Sequence, residues 1–224
     1  GALLEDFPTT FDADTLTSYE VGYKADFGRR LSVDLAAYHL VWDNIQLFGQ
    51  VSGFGFNHNG EGARVNGLEG SVSYRPARGL NLSANGAWID AELTDDTPAI
   101  VGGFDGDTLP YTPKVSFGLN ADYEWDLSGL GEAYVGGSFR FTGDQKAGFR
   151  PGGLPQRDID AYATLVLRAG VDFATFAVEA YARNLTDGRG ITSLGGDGAG
   201  IPDGGLEAAF IQPRTIGLSL TAGF

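Results

Sequence analysis

The connections in this chain come short, long, short, long, and that order is never broken. The short ones are Gly28-Arg29-Arg30, Pro76-Ala77-Arg78-Gly79, Asp126 to Gly131 and Ala174-Thr175. The long ones run over 43–61, 94–113, 143–160 and 185–207. Each stretch between them alternates at period two, which reads as a strand with one oily face. Nine such strands are predicted, opening near Thr15, Leu31, Gly62, Leu80, Val115, Ala133, Ala163, Phe176 and Pro213. The fifth is the cleanest: Val115, Phe117, Leu119, Ala121, Tyr123 and Trp125 against Ser116, Gly118, Asn120, Asp122 and Glu124. In the second, the phase blurs from Ala36 to Trp42, where a bulge or a thick apolar region is expected.

A soluble meander has no reason to alternate its connection lengths. A bacterial outer-membrane barrel does, with short turns on the periplasmic side and long loops outside. The apolar residues beside the short turns are Phe27, Tyr74, Trp125 and Phe173, with Phe224 closing the last strand. Aromatics at one height are what a membrane-interface girdle requires. Strands of about 12 residues reach roughly 40 Å, and a tilt of about 45° brings this near the hydrocarbon thickness of about 30 Å. The expected fold is therefore all-β: an antiparallel transmembrane β-barrel segment of nine to ten strands.

Composition narrows the function classes. The net charge is −14, which argues against nucleic acid as a partner and against an anionic surface in general. Mean hydropathy is −0.09, so no apolar helix crosses a membrane, though barrel strands hide their apolarity in alternation. There is no Cys, which removes disulfides, thiol chemistry and thiolate metal sites. Residues 1–14 are acidic and irregular and read as an extracellular loop; 15–224 read as barrel. Nine strands leave two unmatched edges, and unpaired backbone groups in lipid each cost several kcal/mol. The chain is therefore expected to be part of a larger barrel. The alternatives are a tenth strand within 1–14 or a small self-contained porin-like barrel.

At Thr17-Ser18-Tyr19-Glu20-Val21-Gly22-Tyr23-Lys24 the chain resembles the TonB-dependent outer-membrane receptors. Further matches follow in that family's order: Asn66-Gly67-Leu68-Glu69-Gly70, Leu109-Pro110-Tyr111-Thr112-Pro113, Asn184-Leu185-Thr186-Asp187, and Pro213-Arg214-Thr215 with the terminal Phe224. The resemblance covers the C-terminal part of such a barrel, without the plug domain or TonB box. It implies uptake of a scarce nutrient of the ferric siderophore, cobalamin or glycan class. It also implies partners: the plug and the remaining strands, the TonB complex through the plug, outer-membrane lipid, and the barrel assembly machinery through the C-terminal strand.

No catalytic residue is expected. The two His, His39 and His58, have no second His at ligand spacing, and no nucleophile–His–Asp arrangement can be assembled. Outer-loop residues that could touch ligand are His58, Asp105, Asp107, Tyr111 and Arg150. No resident cofactor or metal is expected, although the acidic loops carrying Asp95, Asp96, Asp105 and Asp107, and Asp187, Asp197 and Asp203, are oxygen-rich enough for Ca²⁺. On the polar face, Glu20, Glu69, Arg140, Arg168, Arg183 and Arg214 suit a wet lumen or a plug interface, or else pair across strands.

Overall fold

The computed structural model describes residues 10–51, 54–150, 154–195 and 206–223. Within them the chain forms β1 (Thr15–Phe27), β2 (Leu31–Asp43), β3 (Gln46–Val51), β4 (Phe54–Asn59), β5 (Gly62–Ala77), β6 (Leu80–Leu93), β7 (Val115–Asp126) and β8 (Glu132–Thr142). It continues with β9 (Gln145–Lys146), β10 (Asp158–Ile159), β11 (Tyr162–Asp172), β12 (Phe176–Arg183), β13 (Ile191–Gly195), β14 (Glu207–Phe210) and β15 (Thr215–Ala222). The nine long strands form one antiparallel sheet in the order β1-β2-β5-β6-β7-β8-β11-β12-β15. They are the nine stretches that alternate in the sequence. The other six pair as three small hairpins inside the long loops: β3 with β4, β9 with β10, β13 with β14. Three stretches expected to be irregular are thus partly paired. The sheet is open, with β1 and β15 as its edges.

The register shows how the strands lean. A row of direct partners starts at Phe27, where β1 meets its short turn, and runs through Leu31, Tyr74, Leu82, Ala121, Gly137, Leu167 and Ala182 to Ile216. Ile216 lies at the long-loop end of β15. Each strand is therefore shifted along its neighbour in one direction. That constant stagger is the geometry by which tilted strands wrap into a barrel.

The two faces of this single layer differ in chemistry. One carries Val21, Leu35, Leu68, Leu119, Leu167, Ile216, Leu218 and Leu220, with Ile216, Leu218 and Leu220 each more than 70% exposed. A water-soluble chain rarely leaves so wide an apolar patch open. Phe117 is half-buried, against Phe141 on the same face with ring centroids 5.2 Å apart. No second sheet covers this face among the described residues.

Toward the long loops the faces exchange character. The last apolar row is Val21, Ala37, Leu68, Trp88 and Val115. The next outward row is Tyr19, His39, Asn66 and Asp90. There His39 Nδ1 lies 2.8 Å from Asn66 Oδ1, and Lys114 bridges Asp90 at 3.1 Å. One row further, Arg64 pairs with Glu92. At that height the inward face instead carries Trp42, Ala63 and Leu93. They pack with Ile45, Leu47, Val101 and Leu109 into a small core beneath the loops. This exchange explains the blurred phase of β2. No bulge is present there: Leu31 to Asp43 pair without a register shift on both sides. The strand simply leaves the oily zone. The irregularity lies instead between Tyr74 and Ala77.

Candidate functional site: the aqueous face of the wall

On the polar face of β1, β2 and β5, Lys24 pairs with Asp34 at 2.9 Å. Beside them Glu20 sits opposite Tyr38, and Glu69 opposite Ala36. These four charged groups line one groove of 370 Å³, together with Asn85 and Ser116 from β6 and β7. Gly22 lines it too, and its missing side chain gives it depth; Gly70 and Gly86 border it only through their backbone, since they fall on the apolar face with Leu68 and Trp88. Sequence spacing leaves Glu20 and Glu69 far apart; the register of β2 between them brings them together. Neither forms an ion pair among the described residues. Two carboxylates without a salt bridge thus share this recess with the Lys24–Asp34 pair.

The wall's second cluster is internally satisfied. Arg168 donates to Asp122 at 2.7 Å, lies 3.9 Å from Glu179, and sits over the Tyr134 ring at 5.2 Å. The Tyr134 hydroxyl donates to Glu179 at 2.8 Å. Tyr134 can lie flat because its cross-strand partner is Gly170. Tyr38 over Gly67 and Tyr181 over Gly217 repeat that arrangement. Tyr38, opposite Glu20, is a polar-face residue that sequence reasoning missed, because it falls in the blurred part of β2. Further toward the loops, Arg183 stacks over Tyr181 at 4.7 Å. Arg140 is exposed and has no side-chain partner among the described residues.

The outer-loop candidates are held by different partners. Asp107 accepts the Phe104 N–H at 2.9 Å, and the Asp105 N–H donates to Asp96 at 3.0 Å, so both lie in one tight turn. Tyr111 adopts φ 56°, takes the Lys146 carbonyl through its N–H at 2.8 Å, and donates its hydroxyl to the Leu194 carbonyl at 2.9 Å. It thereby ties three long loops together. Arg150 donates to the Pro155 carbonyl at 3.1 Å. His58 lies half-buried in β4, opposite Leu47. Residues 12–14 rest against this end of the wall: the Asp12 N–H reaches Asn59 at 2.8 Å, and Trp42 donates to Asp14 at 2.8 Å. Among the described residues no three His, Asp or Glu converge as a metal site; Asp197 and Asp203 lie outside those residues. Of the girdle, Phe27, Tyr74 and Trp125 are exposed beside the short turns, and Phe173 stacks on Phe176 at 4.6 Å. Phe224 lies outside the described residues.

The Asn184-Leu185-Thr186-Asp187 run is a corner lock. The buried Asn184 side chain donates to Gly188 at 3.0 Å and to Gln212 at 2.9 Å, joining the end of β12 to the approach of β15. Asp187 Oδ1 accepts the Arg214 N–H at 3.0 Å. That hydrogen bond, helped by the Arg189 and Arg214 charges, holds the Asp187 carboxyl below the ordinary carboxylate range. With the folded pKa depressed, the contact is intact above the ordinary pKa and is lost as pH falls through the lowered one. Exchange of the Arg214 amide should therefore accelerate on acidification relative to the Leu185 amide, which bonds a backbone carbonyl. Asp187→Asn should accelerate it several-fold at neutral pH; equal exchange in the two proteins would dismiss the lock.

Comparison with known proteins agrees with this geometry. Residues 4–185 match the family model described as "TonB dependent receptor-like, beta-barrel". The metal-pseudopaline receptor CntO of Pseudomonas aeruginosa is 30% identical over 181 residues, which is 80% of this chain and 24% of that protein. The ferric yersiniabactin uptake receptor FyuA of Yersinia pestis superposes with a TM-score of 0.76 at 21% identity, over 94% of this chain and 30% of its own. The copper transporter OprC gives 0.72 at 17% identity, over 96% and 32%. The chain thus spans about a quarter of the curated relative it matches. A staggered antiparallel wall, oily outside and charged inside, with the family's own pattern running along it, has one assignment: the chain belongs to the TonB-dependent receptor-like β-barrel family.

Proposed function

We propose that this chain supplies barrel wall and ligand-facing outer loops to an outer-membrane receptor that imports a scarce nutrient under TonB control. Among ferric siderophores, cobalamins and glycans, a metal chelate is the class favoured. The observation that carries this is the 30% identity to a metal-pseudopaline receptor across 80% of the chain. In this reading the apolar face meets outer-membrane lipid, the short turns face the periplasm, and the segment 1–14 belongs to the external side. The open edges β1 and β15 pair with further strands of a larger barrel, and β15 is the strand presented to the barrel assembly machinery. Glu20 and Glu69 take cationic groups of a plug domain. His58, Asp105, Asp107, Tyr111 and Arg150 are the outer-loop residues offered to the ligand. None of the named residues carries a catalytic role.

The test uses the full-length protein in a host stripped of its own chelate receptors. Uptake of an isotope-labelled metal chelate should appear with the receptor and vanish when the host lacks TonB. Diffusion of small solutes that ignores TonB would favour the porin-like alternative instead.

A further inference from the structure

Four of the 15 basic residues in this chain of net charge −14 gather at two neighbouring short turns. Arg29 and Arg30 lie between β1 and β2, Arg75 lies in β5, and Arg78 follows it in the turn to β6. The Arg75 N–H donates to the Arg30 carbonyl at 2.7 Å, which holds the two turns side by side. A groove of 440 Å³ opens there, lined by Arg29, Arg30, Arg75, Ser32, Ser73 and Asp26. Ser32 and Ser73 are direct cross-strand partners, and Ser32 shares its face with Asp34 two residues on. The groove therefore opens on the aqueous face, at the short-turn rim.

These gathered cations differ from the ion-paired ones elsewhere in the chain. Lys24, Lys114, Lys146 and Arg168 each hold an acidic side chain at 3.1 Å or less. Arg29, Arg30 and Arg78 make no ion pair and no side-chain hydrogen bond among the described residues, and Arg75 has only the Asn81 amide oxygen at 3.0 Å. The groove thus sets three guanidinium groups against one carboxylate. Gathered like charges with too little counter-charge cost free energy that an anionic occupant would recover. The guanidinium fork matches a carboxylate in two parallel hydrogen bonds. The short turn from β7 to β8, by contrast, is flanked by Asp126 and Glu132 and holds no cation.

We infer that this rim groove seats an acidic peptide segment, with at least two carboxylates close in sequence, from the polypeptide on the aqueous side of the wall. This rests on the receptor reading, in which that side is filled by protein. The filling polypeptide must then present opposite charges at two levels: cations at the Glu20–Glu69 groove and carboxylates at the arginine rim. A lipid phosphate would satisfy the same guanidinium chemistry, but the groove faces away from the apolar surface.

The test places the photo-crosslinker p-benzoylphenylalanine at Ser32 in the full-length protein in its membrane, with a parallel variant carrying it at Ser116. Mass spectrometry of the Ser32 adduct should find a segment rich in Asp and Glu. Its yield should fall at least threefold in an Arg29→Gln/Arg30→Gln/Arg75→Gln background that keeps its heat-modifiable gel migration, while the Ser116 adduct persists. A phospholipid adduct at Ser32, a segment without carboxylates, or a yield indifferent to the three substitutions would overturn the inference. Loss of protein adducts at both Ser32 and Ser116 would instead overturn the reading of a filled lumen, and this inference with it.

Discussion

Leu218→Arg is expected to destabilise the folded protein in a bilayer by about 2–4 kcal/mol, and the adjacent Ser219→Arg by less than about 1 kcal/mol. The two residues are neighbours in β15, and in the open sheet both are exposed. A purely structural account based on burial would assign them equal, small costs. They differ in what they face. Leu218 belongs to the run Ile216, Leu218, Leu220, and it is paired across the sheet with Ala180 on the apolar side. Ser219 is paired with Glu179, whose carboxylate takes the Tyr134 hydroxyl within the polar network. An arginine at 218 must push its guanidinium through hydrocarbon or drag water to it. One at 219 enters a hydrated, already charged surface. Denaturant titration of the full-length protein refolded in lipid measures both. Equal midpoints would remove the assignment of faces.

Gly79→Val is expected to cost about 3 kcal/mol, against about 1 kcal/mol for Gly28→Ala. Both glycines close short turns in the left-handed region, with φ 78° at Gly79 and 65° at Gly28. That backbone conformation costs an L-residue about 1–2 kcal/mol. The surroundings then separate them. A Cβ on Gly28 would meet nothing within 4 Å, whereas one on Gly79 would collide with the Glu124 carbonyl of β7. To relieve that, the turn must move away from β7 and stretch the bond in which the Glu124 N–H donates to Gly79 at 3.0 Å. Losing such a bond adds about 1 kcal/mol. Refolding yield and denaturation midpoint of the two variants check this; a Gly28 variant as damaged as the Gly79 one would show that the turn conformation alone decides.

The long strands were legible because each has a single oily face over the part of its span that lies in the apolar zone. Period-two alternation in Val115–Trp125 or Ile216–Leu220 leaves only one reading, and the register follows once that face is fixed. Legibility failed where the environment changes along a strand. Past Ala37, β2 leaves the apolar zone, so its outward residue becomes His39 and its inward ones become Leu40 and Trp42. A rule that assigns one polarity to one face must stumble there. The first loop hairpin escaped notice because its strands, Gln46–Val51 and Phe54–Asn59, are short, only Leu47 of them joins the loop core beside Ile45, and their remaining Phe, Val, Gly and polar residues follow no clean period.

The candidate site was readable as a set of inward charges, but not as a constellation. Glu20 and Glu69 lie on strands that do not touch, and only the register through β2 shows that they share a groove. The same holds for Arg168, whose partners Asp122 and Glu179 come from β7 and β12. Sequence counts a charge; the fold decides whether it is spent on a neighbour or left for a partner. The arginine rim escaped for a related reason, because the net charge of −14 hides a local excess of the opposite sign.

The two-faced character of the wall can be read one residue at a time. Nitroxide labels placed singly along 115–125 in the full-length protein, in a bilayer, report collision with oxygen, which concentrates in lipid, and with a water-soluble nickel chelate. Labels at 117, 119, 121 and 123 should favour oxygen, and those at 116, 118, 120 and 122 the nickel chelate, in strict alternation. A profile without alternation, or one in which the label at Leu119 is shielded from oxygen and the label at Asn120 is not, would contradict a lipid-facing apolar side.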